Sequence, residues 1–117
     1  MNTERKHADR LGFIQRSRLL FFTPDQIIRL EAYSNYTLVH FTDHAPILMA
    51  KVLRIYEEML RPHGFIRIHK SHLVNSRYIA GIDRKGFVMM TDESTAEVSR
   101  RKKREVMETV CRSIQAA

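Results

Sequence analysis

The fold of this chain turns on the segment Phe65-Ile66-Arg67-Ile68-His69-Lys70-Ser71-His72-Leu73-Val74-Asn75. Ile66 and Ile68 alternate with Arg67 and His69, the period of two that a strand imposes by sending successive side chains to opposite faces. The strand expected over Phe65 to Ile68 runs straight into a knot of hydrogen-bonding side chains, His69-Lys70-Ser71-His72, before Leu73-Val74-Asn75 resumes an extended pattern. Polar groups are thereby presented on a rigid support. Lys70 can donate to guanine acceptors or to phosphate, and His69 and Ser71 can reach base edges or backbone oxygens. A hydrated polar loop joining two strands is the plainer alternative for the same residues.

Upstream of this segment the period changes. Val52, Ile55, Tyr56, Met59 and Leu60 recur at helical spacing, which predicts one apolar stripe packed on a sheet, with Arg54, Glu57, Glu58 and Arg61 to solvent. Pro62 and Gly64 stop this helix, since proline cannot continue it and glycine tolerates the positive φ of a helix end. Further back, Ile47 to Ala50 reads as a short strand behind the Asp43 to Pro46 turn. Ile28, Leu30 and Ala32 alternate with Arg29, Glu31 and Tyr33 as in a half-buried strand, and Thr37 to Phe41 resumes the pattern after Ser34-Asn35. Arg10 to Phe22 supplies one or two strands, closed by Thr23-Pro24-Asp25.

Downstream, Tyr78 to Ile82, Phe87 to Met90 and Ala96 to Val98 are further short extended pieces, separated by turns at Arg84-Lys85-Gly86 and Thr91 to Thr95. Ser99 is a suitable N-cap for a final helix whose stripe is Val106, Met107, Val110, Cys111 and Ile114. Seven or more short strands with one internal and one C-terminal helix predict a mainly β domain, with antiparallel strands in small packed sheets. At 117 residues there is room for one core. A flexible lead-in is expected over residues 1–11 and a single domain over 12–117.

The 44% hydrophobic and 28% charged composition suits a folded, water-exposed protein. No apolar run approaches the roughly 20 residues that span a bilayer. The polar start, Met1 to Arg10, lacks the apolar stretch of a secretory signal. Cys111 has no cysteine to pair with, which fits a reducing, cytoplasmic setting and a packing role. The 20 Lys and Arg outnumber the 13 Asp and Glu for a net +7, so a polyanionic partner is expected.

Two more segments could engage such a partner. Arg100-Arg101-Lys102-Lys103-Arg104 places five cations where a helix begins. Helix starts favour acids, so a bound phosphate would explain the cluster; a solvated face is the alternative. In Tyr33-Ser34-Asn35-Tyr36-Thr37, Asn35 can pair with an adenine edge and Tyr36 can contact phosphate or a thymine methyl. A tight turn with Asn35 in the left-handed region explains these residues equally well.

Enzymatic readings lack parts. His69-x-x-His72 has the look of a metal pair, yet a third ligand at sensible spacing is not evident, so no metal or other cofactor is expected. His69-Lys70-Ser71 has the form of half of a two-histidine phosphoesterase site without a second copy. Four glycines form no phosphate cradle. The competing reading from another class is a protein-interaction domain whose basic face docks an acidic partner. RNA binding is a variant weakened by the lack of an aromatic sheet motif.

The segments Ile28 to Tyr36, Phe65 to Asn75 and Val98-Ser99-Arg100-Arg101, taken in order with the helix between the first two, resemble the LytTR DNA-binding domain family. The similarity runs from about Gly12 to Val110 and is most specific in the middle segment. It implies a compact, mostly β fold whose loops at one edge enter successive major grooves. Carried onto this chain, the contacting loops hold Asn35 and Tyr36, then His69 and Lys70, then Ser99, Arg100 and Arg101. With the cations and hydroxyl read from the chemistry, the candidate DNA-binding set also includes Arg67, Ser71, Lys102 and Lys103. Because residues at the first two contact positions vary within the family, Tyr36 and Lys70 leave the preferred bases open. Relatives serve as output domains of LytR/AlgR-type response regulators, behind a receiver domain or membrane segments. The expected partners are therefore double-stranded DNA, bound as two copies on repeated half-sites, and an upstream receiver domain or sensor kinase, with no membrane contact.

Overall fold

The computed structural model describes residues 10–113. Its strands are β1 (Leu11–Gln15), β2 (Arg18–Phe22), β3 (Ile27–Tyr33), β4 (Tyr36–Phe41), β5 (Ile47–Met49), β6 (Phe65–His69), β7 (His72–Asn75), β8 (Ile79–Ile82), β9 (Phe87–Met90) and β10 (Thr95–Glu97). Helix α1 (Leu53–Leu60) separates β5 from β6, and α2 (Lys103–Ser113) follows β10. The strands form a β1-β2 hairpin, a central sheet ordered β5-β4-β3-β7-β6 and a three-stranded sheet ordered β10-β9-β8, all antiparallel. This is the mainly β architecture expected from the alternation. The lead-in expected over 1–11 falls mostly outside the described residues, and Leu11 itself opens β1 opposite Phe22.

The central sheet is apolar on both faces, so it carries two cores. On one face Leu30, Val39, Met49 and Leu73 pack with Phe13 of the hairpin and with Leu53, Tyr56 and Leu60 of α1. On the other face Ile28, Ile68 and Val74 pack with Val88, Met90 and Ala96 of the three-stranded sheet and with Val106 and Val110 of α2. The alternation in β3 predicts one buried and one solvated face, and the structure corrects this. A β-bulge between Ile27 and Arg29 shifts the register, so Ile28 and Leu30 belong to opposite cores. Arg29 is itself buried. A strand sandwiched between two layers must bury both faces, and simple alternation cannot report that.

Helix α1 buries Tyr56 and Leu60 of the expected stripe, with Met59 partly buried against the same core, and adds Leu53 in place of Val52. Val52 precedes the first turn as the N-cap residue and is 43% exposed. Tyr56 stacks on Phe13 with centroids 5.2 Å apart and donates its hydroxyl to the Ala50 carbonyl, joining α1 to the hairpin and β5. Burial pushes its pKa up to about 12. Pro62 sits in a 3-10 turn and Gly64 takes φ 87°, ending the helix as expected.

Ser99 does act as a cap, but over a 3-10 turn at Arg100–Lys102 that precedes α2. Within α2 only Val106 and Val110 of the expected stripe are buried. Met107 is 41% exposed and Cys111 is exposed, so the packing role expected of the cysteine is also corrected. Packing against the sheet covers one narrow seam of the helix, and the neighbouring positions stay in solvent. Ile114 lies outside the described residues. No helix among the described residues is long and apolar enough to cross a membrane.

Candidate nucleic-acid interface

Antiparallel pairing brings the three singled-out segments to one rim of the central sheet. Tyr33 pairs with Tyr36 across the two-residue turn Ser34-Asn35, and His69 pairs with His72 across Lys70-Ser71. Because Glu31 of β3 lies opposite His72 of β7, both turns fall at the same end. A backbone hydrogen bond from Ala32 N to Ser71 O, at 2.9 Å, ties them directly. The third segment is fastened to β6 by Ser99 N donating to Ile68 O at 2.8 Å and Lys102 Nζ donating to Arg67 O at 3.2 Å.

Within the first turn it is Ser34, at φ 58°, that takes the left-handed conformation expected of Asn35. Asn35 is exposed, and Tyr33 and Tyr36 are 61% and 48% exposed. In the second turn Ser71 N donates to His69 Nδ1 at 3.0 Å, fixing the imidazole over the turn. Lys70 is exposed. In the third, Ser99 Oγ accepts from Lys102 N at 3.3 Å, so Arg100 and Arg101 are held on a short ordered turn with both side chains exposed.

The candidate cations differ in how they are engaged. Arg67 is half-buried, and its guanidinium donates to Glu57 Oε1 at 2.6 Å, to the His69 carbonyl at 2.7 Å and to the Lys70 carbonyl at 2.6 Å. It thus braces the backbone of the His69-Lys70 turn from α1. Glu57 was expected to face solvent, yet it takes Arg67 and Arg61 together. Burial opposes its ionisation, but the hydrogen bonds and charges of the two arginines outweigh burial and hold its pKa below the usual range. The i,i+4 spacing marks the pair of Glu57 with Arg61, but no spacing rule reveals Arg67, which lies on a strand. Lys103 Nζ reaches the Arg84 carbonyl at 3.4 Å, while Lys70, Arg100 and Arg101 make no side-chain hydrogen bond to the described residues.

Beneath the turns, on the face toward the three-stranded sheet, lies a polar cluster that alternation did not reveal. Arg29 donates to Ser94 Oγ at 2.9 Å and to Glu31 at 3.1 Å, and His40 Nε2 is 2.8 Å from the same Glu31 oxygen. Burial resists charge on Glu31, but the His40 hydrogen bond with Arg29, His40 and His72 holds its pKa below normal. His72 is pushed the other way, toward neutrality, by burial and by Arg29. Its Nδ1 is buried and has no hydrogen-bond partner among the described residues. His69 and His72 have ring centroids 5.4 Å apart, and no group of three potential metal ligands occurs among the described residues.

Residues 17–110 match the family model of the LytTr DNA-binding domain. Among solved structures, the fold is similar to a chain from Bacillus cereus described as the LytTr DNA-binding domain of a putative methyl-accepting/DNA response regulator. The likeness has a TM-score of 0.72 at 20% identity and covers 87% of this chain and 96% of that one. A search of curated proteins finds no match.

Proposed function

The chain belongs to the LytTr DNA-binding domain family, whose members bind DNA, and from that premise we propose that it reads specific duplex sequences as a bacterial transcription regulator. The observation that carries the reading is the gathering of three sequence-distant polar turns on one sheet rim, each bonded to its neighbour through the backbone. Base edges are read by a few side chains, while cations fix the register on phosphate.

Asn35, Tyr36, His69, Lys70, Ser71, Ser99, Arg100 and Arg101 are the groups offered to the grooves. Lys102 and Lys103 hold phosphates at the start of α2. Arg67, with its guanidinium taken up by Glu57 and the turn carbonyls, serves as a positioning residue. The protein acts in the cytoplasm without catalysis, as two copies on repeated half-sites, under the control of a receiver domain or sensor kinase.

Selection from a random duplex library tests this reading. Enrichment of a consensus built from repeated half-sites is the expected result. Recovery of unenriched sequence overturns specific recognition and favours a basic surface docking an acidic protein.

A further inference from the structure

The β1-β2 turn, which the sequence motifs do not mark, lies on the same rim. Ala50 N donates to Ile14 O at 2.7 Å, which fastens the end of β1 to the end of β5. Thr37, fully buried at the start of β4, donates its hydroxyl to the Lys51 carbonyl at 3.0 Å. The residues of the β1-β2 turn line an open groove together with Tyr36, Leu48 and Ala50. Arg16 and Arg18 therefore share the groove with Tyr36, the Lys51 backbone is held next to it through Thr37, and all three cations are exposed. Arg18 is steadied by a hydrogen bond to Gln15 Oε1 at 2.9 Å.

Backbone strain marks the same rim independently. Among the described residues, four non-glycine positions have positive φ, and three of them, Arg16 at 55°, Ser34 at 58° and Lys51 at 79°, stand here. Glycine would relieve such positions, so arginine and lysine there keep a cationic side chain at a conformational cost. Five strands at about 4.8 Å spacing make the rim about 19 Å across, wider than a major groove of about 12 Å. The ends of the rim must then stand over phosphate strands when its middle faces a groove. The segment carrying the phosphate anchors Lys102 and Lys103 is fastened at the β6 end, and Arg16, Arg18 and Lys51 occupy the β5 end.

We propose that Arg16, Arg18 and Lys51 form a second phosphate-binding patch, which grips the DNA backbone on the flank opposite Lys102 and Lys103. This rests on the DNA-binding reading above and extends its footprint beyond the three recognition turns. The patch contributes affinity without base preference and makes binding more salt-dependent.

The test is salt titration of the full chain on two duplexes of equal length, one carrying the selected site and one of random sequence. The variants are R16A/R18A/K51A, its charge-preserving counterpart R16K/R18K/K51R, and R100A/R101A. Thermal melts by circular dichroism check that each is folded. We expect R16A/R18A/K51A to weaken binding to both duplexes alike and to lower the log K against log salt slope by about 0.9 for each phosphate no longer neutralised. R16K/R18K/K51R should retain the wild-type slope, which separates lost charge from a distorted turn. Unchanged affinity and slope in R16A/R18A/K51A, beside a clear loss in R100A/R101A, overturns the patch and leaves the parent reading intact. A wild-type chain that binds neither duplex overturns both.

Discussion

Arg67 of β6 and Glu57 of α1 meet at 2.6 Å, and through that ion pair the helix holds the turn that presents Lys70. The Nε and Nη2 groups of the same guanidinium donate to the carbonyls of His69 and Lys70. Glu57→Ala leaves a half-buried guanidinium short of its counter-ion, which should cost about 2 to 3 kcal/mol of stability. If the loosened turn reads bases as proposed, the variant should also weaken the selected duplex more than a random one. Urea unfolding and paired binding titrations measure the two effects. Equal weakening on both duplexes would remove the positioning role.

His72 makes stability depend on pH in a defined window. Burial and Arg29 keep its pKa below the ordinary 6.5, so between these values the unfolded chain holds a proton that the folded one rejects. The stabilisation is fully present above about pH 6.5 and falls away as pH drops below it. Glu31, Glu57 and Asp92, also with lowered pKa values, act lower, below their ordinary values near 4. His72→Gln should therefore flatten urea midpoints between pH 7.5 and pH 5. An unaltered pH slope in that variant would assign the effect elsewhere.

Arg101 and Lys103 should separate by kind of loss. If Arg101 binds a guanine edge, Arg101→Ala costs roughly 1 to 3 kcal/mol on the selected site and relaxes one base position. Lys103→Ala should weaken all sequences alike. Binding across a panel of single-base variants decides this, and parallel profiles for the two mutants would refute the division.

Ser99→Ala removes the hydroxyl that caps the Arg100–Lys102 turn, with an expected cost of about 1 kcal/mol. Thermal denaturation reads that cost. Ser99→Asp, which keeps a capping acceptor, should restore stability while placing a carboxylate beside the phosphates, so it should bind DNA worse than Ser99→Ala.

The two cores can be tested separately because they lie on opposite faces of one sheet. Leu30→Ala opens a cavity under α1 and Val74→Ala one under the three-stranded sheet, both at fully buried positions. A Leu→Ala change in such a site costs about 2 to 5 kcal/mol, and the smaller deletion at Val74 should cost less. Denaturant midpoints check both.

Much of this architecture was legible from local pattern. The alternation at Phe65 to Ile68, the stop at Pro62 and Gly64 and the cap at Ser99 each depend on residues within a few positions, so each could be read along the chain. Val52 and Cys111 misled because a helical period continues past the turns that a partner surface covers. The candidate readers were recognisable by chemistry and order. The use made of their neighbours was not: Arg67 reads as a free cation until Glu57 is placed beside it.

By itself, then, the sequence determined a mainly β chain with two helices, where its strands break, and which polar turns carry hydrogen-bonding groups. Only the tertiary structure decided that a bulge at Ile28 divides β3 between two cores, and that Arg67 and Glu57 pair. It also decided that Arg16, Arg18 and Lys51 share the rim with Tyr36. The physical reason is range: backbone periodicity and capping are set by adjacent residues, whereas register shifts, ion pairs and shared edges arise when distant segments compete for the same face.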